Sequence, residues 1–172
     1  MLRFFILLLA AMPFLGCDGG TEAADDSGSG ILAGPEGIAV ADGTIFVANV
    51  NSRYDPNSGL VVFDEGFIQT FDATNLAPGA RLDVRCENPQ YVLPADADLL
   101  VVCSGSMLPD SEGLLTPATD GALLVLDRSS LAIKQQIPVP RGTPHALSGF
   151  PGNMAWSSDL QRVYLGSGSG PY

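Results

Sequence analysis

Asn49, Asn51, Asp55 and Asn57 crowd into one short stretch, and Asp64 and Glu65 follow it closely. Oxygen-bearing side chains at that density suit a hard cation such as calcium. The run Asp55-Pro56-Asn57-Ser58-Gly59 departs from the order of an EF-hand loop, and Gly66 stands where its closing glutamate belongs. Asn and Asp are also ordinary turn formers, so a calcium site and a solvated loop both remain open here. Other chemistries are poorly supplied. No serine has glycine two residues before and two after it, so the nucleophile-elbow pattern is missing. The one histidine, His145 in Gly142-Thr143-Pro144-His145-Ala146, has no partner in sequence for acid–base work. Lys134 is the only lysine and follows no glycine-rich phosphate loop. A chain this poor in histidine and cysteine offers no typical structural zinc site.

The elements that must position these residues are short strands. Gly37–Ala41 precedes Asp42-Gly43, a strong hairpin signal, and Thr44–Val50 follows it. A polar loop, 51–59, leads into Leu60–Asp64, and after Glu65-Gly66 comes Phe67–Phe71. These four segments read as a meander with hairpin-length connections. The order recurs as Gln90–Leu93, Leu99–Cys103, a longer loop at 104–120, Ala122–Asp127 and Ile133–Val139. A third round begins with Gly152–Trp156 and Arg162–Gly166. Pro35, Pro89 and Pro151 introduce the rounds at spacings of about 54 and about 62 residues, the signature of a repeated unit. No segment sustains a helical period.

Composition agrees with an all-β body. The apolar share is 46% and the charged share 16%, enough to fold one core, while 20 Gly and 13 Pro imply many turns. A net charge of −11 repels phosphate backbones, so nucleic acid is excluded as a partner. The same charge opposes adsorption to anionic lipid, so membrane attachment must come from another source.

That source is suggested by the first 17 residues. Met1-Leu2-Arg3, an apolar run from Phe4 to Ala11, and Phe14-Leu15-Gly16-Cys17 make a cationic start, a short hydrophobic segment and a small residue before a cysteine. The pattern fits a secretory signal at 1–16 and is too short for a spanning helix. It resembles the lipobox of bacterial lipoproteins, with Phe14 where leucine is usual; an ordinary signal peptide with an incidental cysteine is the alternative. The resemblance implies diacylglyceryl and palmitate attachment at Cys17 and a protein held to the cell envelope, facing periplasm or exterior. Residues 17–33 then form the lipidated cysteine and a flexible acidic Gly/Ser linker. With Cys17 acylated, Cys86 and Cys103 remain as an even pair in an oxidising compartment, either bridged or as two buried thiols.

Gly34-Pro35-Glu36-Gly37-Ile38-Ala39-Val40 with Gly43-Thr44-Ile45-Phe46-Val47-Ala48-Asn49 resembles the opening of a β-propeller blade of the YVTN and NHL repeat families. Pro89-Gln90-Tyr91-Val92 with Leu100-Val101-Val102-Cys103-Ser104 fits more loosely, and Met154–Gly166 matches the end of the YVTN pattern. The resemblance implies that 34–172 is a partial β-propeller of antiparallel four-stranded blades, about two and a half of them. A fragment of a longer product, a ring completed by a second copy, and a two-sheet sandwich are the arrangements that accommodate this count. Propellers of this kind act as binding modules, and loops 51–59 and 104–120 would carry recognition of a protein or glycan in the envelope. The alternative is a metal-dependent hydrolase similar to gluconolactonases, with calcium near Glu36, Asn49, Asn51 and Asp55. Its Pro-Glu-Gly order departs from that family's Glu-Gly-Pro. The binding reading needs no cofactor.

Overall fold

The described part of the chain pairs throughout as antiparallel strands, and no helix occurs among the described residues. The computed structural model describes residues 34–109, 111–112, 115–140 and 151–167. The leader, Cys17, the linker and His145 lie outside them.

In the first sheet, β1 (Pro35–Ala41) turns into β2 (Thr44–Asn49) through Asp42 and Gly43, whose φ angles are 48° and 74°. A two-residue hairpin with the right twist needs both central residues in that left-handed region. After a separate hairpin of β3 (Ser52–Asp55) and β4 (Leu60–Phe63), the chain returns as β5 (Glu65–Asp72) against β2, and β6 (Pro78–Glu87) completes the order β1-β2-β5-β6. The second sheet repeats this plan. It consists of β7 (Pro89–Ala95), β8 (Asp98–Cys103), β11 (Gly121–Asp127) and β12 (Ile133–Val139), in the order β7-β8-β11-β12. A hairpin of β9 (Met107–Pro109) and β10 (Leu115–Pro117) again sits between its second and third strands. The pair β13 (Pro151–Ser157) and β14 (Arg162–Ser167) opens a third unit.

Two sequence expectations need correction. Leu60–Phe63 is not a strand of the first sheet; it pairs only with β3. The fourth strand of that sheet is β6, which an eye for apolar runs passes over. Its signal is alternation: Ala80, Leu82, Val84 and Cys86 interleave with Arg81, Asp83, Arg85 and Glu87. Leu82, Val84 and Cys86 reach the core while Arg81, Asp83 and Arg85 stay exposed.

The sheets stack in chain order. Phe46, Ala48, Ile68 and Val84 of the first interleave with Leu99, Val101, Leu124 and Leu126 of the second. On the opposite side of the second sheet, Leu100, Val102 and Leu123 meet Met154, Trp156, Val163 and Leu165 of β13–β14. Each fully buried aliphatic side chain stabilises the stack by about 1.5–3 kcal/mol. The first strands run side by side, with β7 between β1 and β13. At Gly37 the approach is so close that a Cβ would stand 2.5 Å from the Gln90 carbonyl oxygen. Cys86 and Cys103 are bridged, Cα atoms 6.1 Å apart, and join β6 of the first sheet to β8 of the second. With its ends at a sequence separation of 17, such a link stabilises by about 3 kcal/mol through loop-closure entropy.

Candidate functional site

Each sheet has two ends, and chemistry-bearing residues gather at both. One end carries the tight turns. Asp72 accepts at Oδ1 from the N–H groups of Thr74 (2.7 Å) and Asn75 (3.0 Å), while Leu76 N–H donates to the Asp72 carbonyl. In the second sheet Asp127 does the same for Ser129 (3.1 Å) and Ser130 (3.0 Å), with Leu131 in place of Leu76. Both leucines are left-handed, φ 62° and 59°. Asp72-Ala73-Thr74-Asn75-Leu76-Ala77 thus recurs as Asp127-Arg128-Ser129-Ser130-Leu131-Ala132, a repeat signal that strand-centred reading missed. The Thr74 and Asn75 amides hold the Asp72 carboxyl below the ordinary range. Asp127 is depressed further by the Ser129 hydroxyl, the Ser130 amide and Lys134. Lys134 also bonds Asp98 at 2.6 Å, and the two carboxylates raise its own pKa.

Between these turns the two sheets leave a groove of about 470 Å³. It exists because the facing side chains there are short: Ala41, Thr44, Thr70, Ala80 and Ala97. Across its mouth Arg128 Nη2 donates to Asp42 Oδ2 at 2.6 Å, so the guanidinium is already engaged. The groove is therefore a polar-rimmed slot whose strongest donor is committed to closing it.

The opposite end carries the two inserted hairpins, which occupy the loops expected to recognise a partner. Each is rooted by hydrogen bonds. Val50 N–H donates to the Gly34 carbonyl, Asn51 Nδ2 to the Glu65 carbonyl at 2.9 Å, and Asp64 N–H to the Asn51 carbonyl. The second is held by Ser104 and Gly105 N–H donating to the carbonyls of Asn88 and Glu87, and by Thr119 Oγ1 donating to Glu87 at 2.7 Å. On the first hairpin Tyr54 and Val61 are directly opposed and remain 65% and 52% exposed. Leu108 is exposed on the second. An aromatic and a branched aliphatic side by side on a rooted two-stranded ribbon form an apolar contact surface that the fold itself does not use.

The metal candidates distribute along this end without forming one cluster. Glu36 lies at the bulge of β1, between Pro35, which pairs with Asn49, and Gly37, which pairs with Ala48. Asn49 is fully buried and its Nδ2 donates to the Val47 carbonyl at 3.1 Å. Asn51 is committed to the Glu65 carbonyl. Asp55 ends β3, about 13 Å of extended chain beyond Asn51. Its carboxylate accepts from the Ser58 hydroxyl at 2.8 Å and the Asn57 N–H at 3.0 Å, the Ser58 bond chiefly lowering its pKa. No group of three or more His, Cys, Asp or Glu side chains placed to hold a metal occurs among the described residues. Asp55 acts as a turn former in this geometry.

No family model matches this chain, and no curated protein matches it in sequence.

Proposed function

We propose that the protein is a lipid-anchored binding module of the bacterial cell envelope, built on a partial β-propeller of the YVTN/NHL kind, with the inserted hairpins as its recognition surface. One observation carries the binding role: both sheets place a rooted hairpin at the same point and the same end, and the first displays Tyr54 and Val61 to solvent. Three features support the propeller reading. Strand order within each sheet follows the chain, the innermost strands β1, β7 and β13 lie side by side, and successive sheets stack serially. A sandwich divides one meander between two layers; here each layer is its own stretch of chain. Blade-end loops are free to vary on such a rigid frame, so recognition collects there. Tyr54 would stack on a sugar face or an apolar protein patch, and the acyl chains at Cys17 would keep the module at the membrane.

The test is sedimentation of the full chain with isolated envelopes, using the Cys17→Ser form so that lipid does not mediate capture. Tyr54→Ala with Val61→Ser should abolish co-sedimentation and leave thermal unfolding unchanged. Retained binding, or calcium-dependent hydrolysis of gluconolactone, would overturn the reading. Palmitate incorporation lost in Cys17→Ser tests the anchor separately.

A further inference from the structure

The seam between the first two sheets is filled along its length by side chains such as Phe46, Ile68, Leu124 and Leu126, yet it opens at the turn end into the groove of about 470 Å³. Interiors close-pack where side chains are long enough to meet; here Ala41, Ala80 and Ala97 stop short. The groove's inner wall is apolar, with Phe46 and Leu131 only 2% and 6% exposed. Its mouth is charged. Arg128 and Asp42 meet there at 2.6 Å, their side chains 21% and 79% exposed. The next unit ties its seam differently: Asp96, the left-handed counterpart of Asp42, is met by the neutral Gln161 amide at 3.2 Å. An amide thus suffices to tie such a seam, and a full guanidinium at the first is surplus to stacking.

We infer that this groove binds a free α-amino acid with an aliphatic side chain. The ligand's carboxylate takes Arg128, its ammonium takes Asp42, and its hydrocarbon lies on Phe46 and Leu131. Arg128 meets Asp42 through Nη2, and the rest of its fork is suited to a carboxylate. Asp42 accepts at Oδ2 and has a second oxygen for the ammonium. The hydroxyl hydrogens around them are spent inward: Ser129 and Ser130 donate to Asp127, and Thr70 donates to the Ala80 carbonyl. Their oxygens keep lone pairs, so they offer a ligand acceptors, which suits an ammonium and not a second anion. A net charge of −11 also disfavours a ligand that is only an anion. An ion pair this open to water contributes little to the fold, so exchanging it for a ligand's two charges costs the protein little. The two charges must lie close together, as a free amino acid supplies them and the separated ends of a peptide do not. The volume falls within the range of small-molecule sites. The inference rests on the turn end of the sheets and not on the binding role of the hairpins at the opposite end.

Isothermal titration calorimetry of the full chain carrying Cys17→Ser, with free L-leucine as the probe, tests it. Saturable binding to one site is expected at neutral pH. Isocaproate lacks the ammonium and isoamylamine lacks the carboxylate, so each should bind about tenfold or more weaker. Arg128→Gln and Asp42→Asn should each weaken leucine binding by about tenfold or more while circular dichroism stays unchanged, since asparagine tolerates the left-handed turn. Ala80→Leu, at an exposed position that lines the groove, should abolish binding with both charges still in place. Tyr54→Ala should leave it untouched, which separates this outcome from failure of the recognition surface. No saturable heat with leucine, equal binding of either singly charged analogue, or binding unaltered by Arg128→Gln would overturn it.

Discussion

The first and second sheets have the same strand order, the same inserted hairpin and the same aspartate turn, yet their interiors differ. Leu99, Val101 and Leu124 of the second are completely buried, whereas Ile38 and Val40 on the matching side of the first stand in solvent. Among the described residues the second sheet has a neighbour on each side and the first on one side. Burial in a serial stack is set by rank in the series as much as by the residues themselves. Leu124 and Gln69 hold matching rungs and both are buried, the Gln69 amide being satisfied by the carbonyls of Thr70 and Gly79.

This contrast can be broken most forcefully at the centre of the stack. Leu124→Ala should cost about 2–5 kcal/mol, read from urea unfolding, because no side chain can collapse into the space between two filled sheets. Val40→Ala, its opposite number in exposure, should cost under about 0.5 kcal/mol. Equal losses at the two positions would mean that the first sheet is covered after all.

Next in size is Gly37→Ala. The added methyl must push against the β7 backbone at Gln90 and Tyr91, which cannot rotate aside, and we expect a loss of about 1–3 kcal/mol. A neutral result would show that β1 and β7 approach less closely.

Acid sharpens the comparison of the two turns. Asp127 and Asp72 both have depressed pKa values. Their contribution is therefore complete above the unfolded carboxyl pKa of about 3.9 and drains as pH falls through the folded values. Asp127 accepts more bonds and faces Lys134, so at neutral pH Asp127→Asn should lower the melting temperature by more than Asp72→Asn. The gap should narrow as pH drops below about 4. A pH-independent gap would assign the difference to packing.

The smallest effect concerns the left-handed leucines. Leu76 is 62% exposed and gains little from its side chain, so Leu76→Asn should stabilise by up to about 1 kcal/mol. Leu131 is 6% exposed and part of the core, so Leu131→Asn should destabilise. Matching signs would refute the assignment of these turns.

Much of the second unit was readable because Leu99–Cys103 and Ala122–Leu126 are unbroken apolar runs, which is how a strand buried on both faces looks. The Asp42-Gly43 turn was readable because few residue pairs tolerate its backbone. β6 was hidden by its charges, although Ala80, Leu82, Val84 and Cys86 mark every second position. Leu60–Phe63 misled because local hydrophobicity says that a segment is extended and says nothing of which neighbour it pairs with. Cys86 and Cys103 were legible as an even pair, but that count says nothing of layers; the link crosses from one sheet to the next, since Cys86 belongs to the unit before. The density of Asn and Asp near 49–57 was visible, but only coordinates separate side chains spent on turns from side chains turned toward an ion.

The bridge also orders events during synthesis. Its two sulfurs are both present once residue 103 has emerged, before β11 or β12 exists. Once both have reached an oxidising compartment, the first sheet can be fastened to a two-stranded beginning of the second before the remainder has paired. Later strands then add to a clamped seam instead of searching for one.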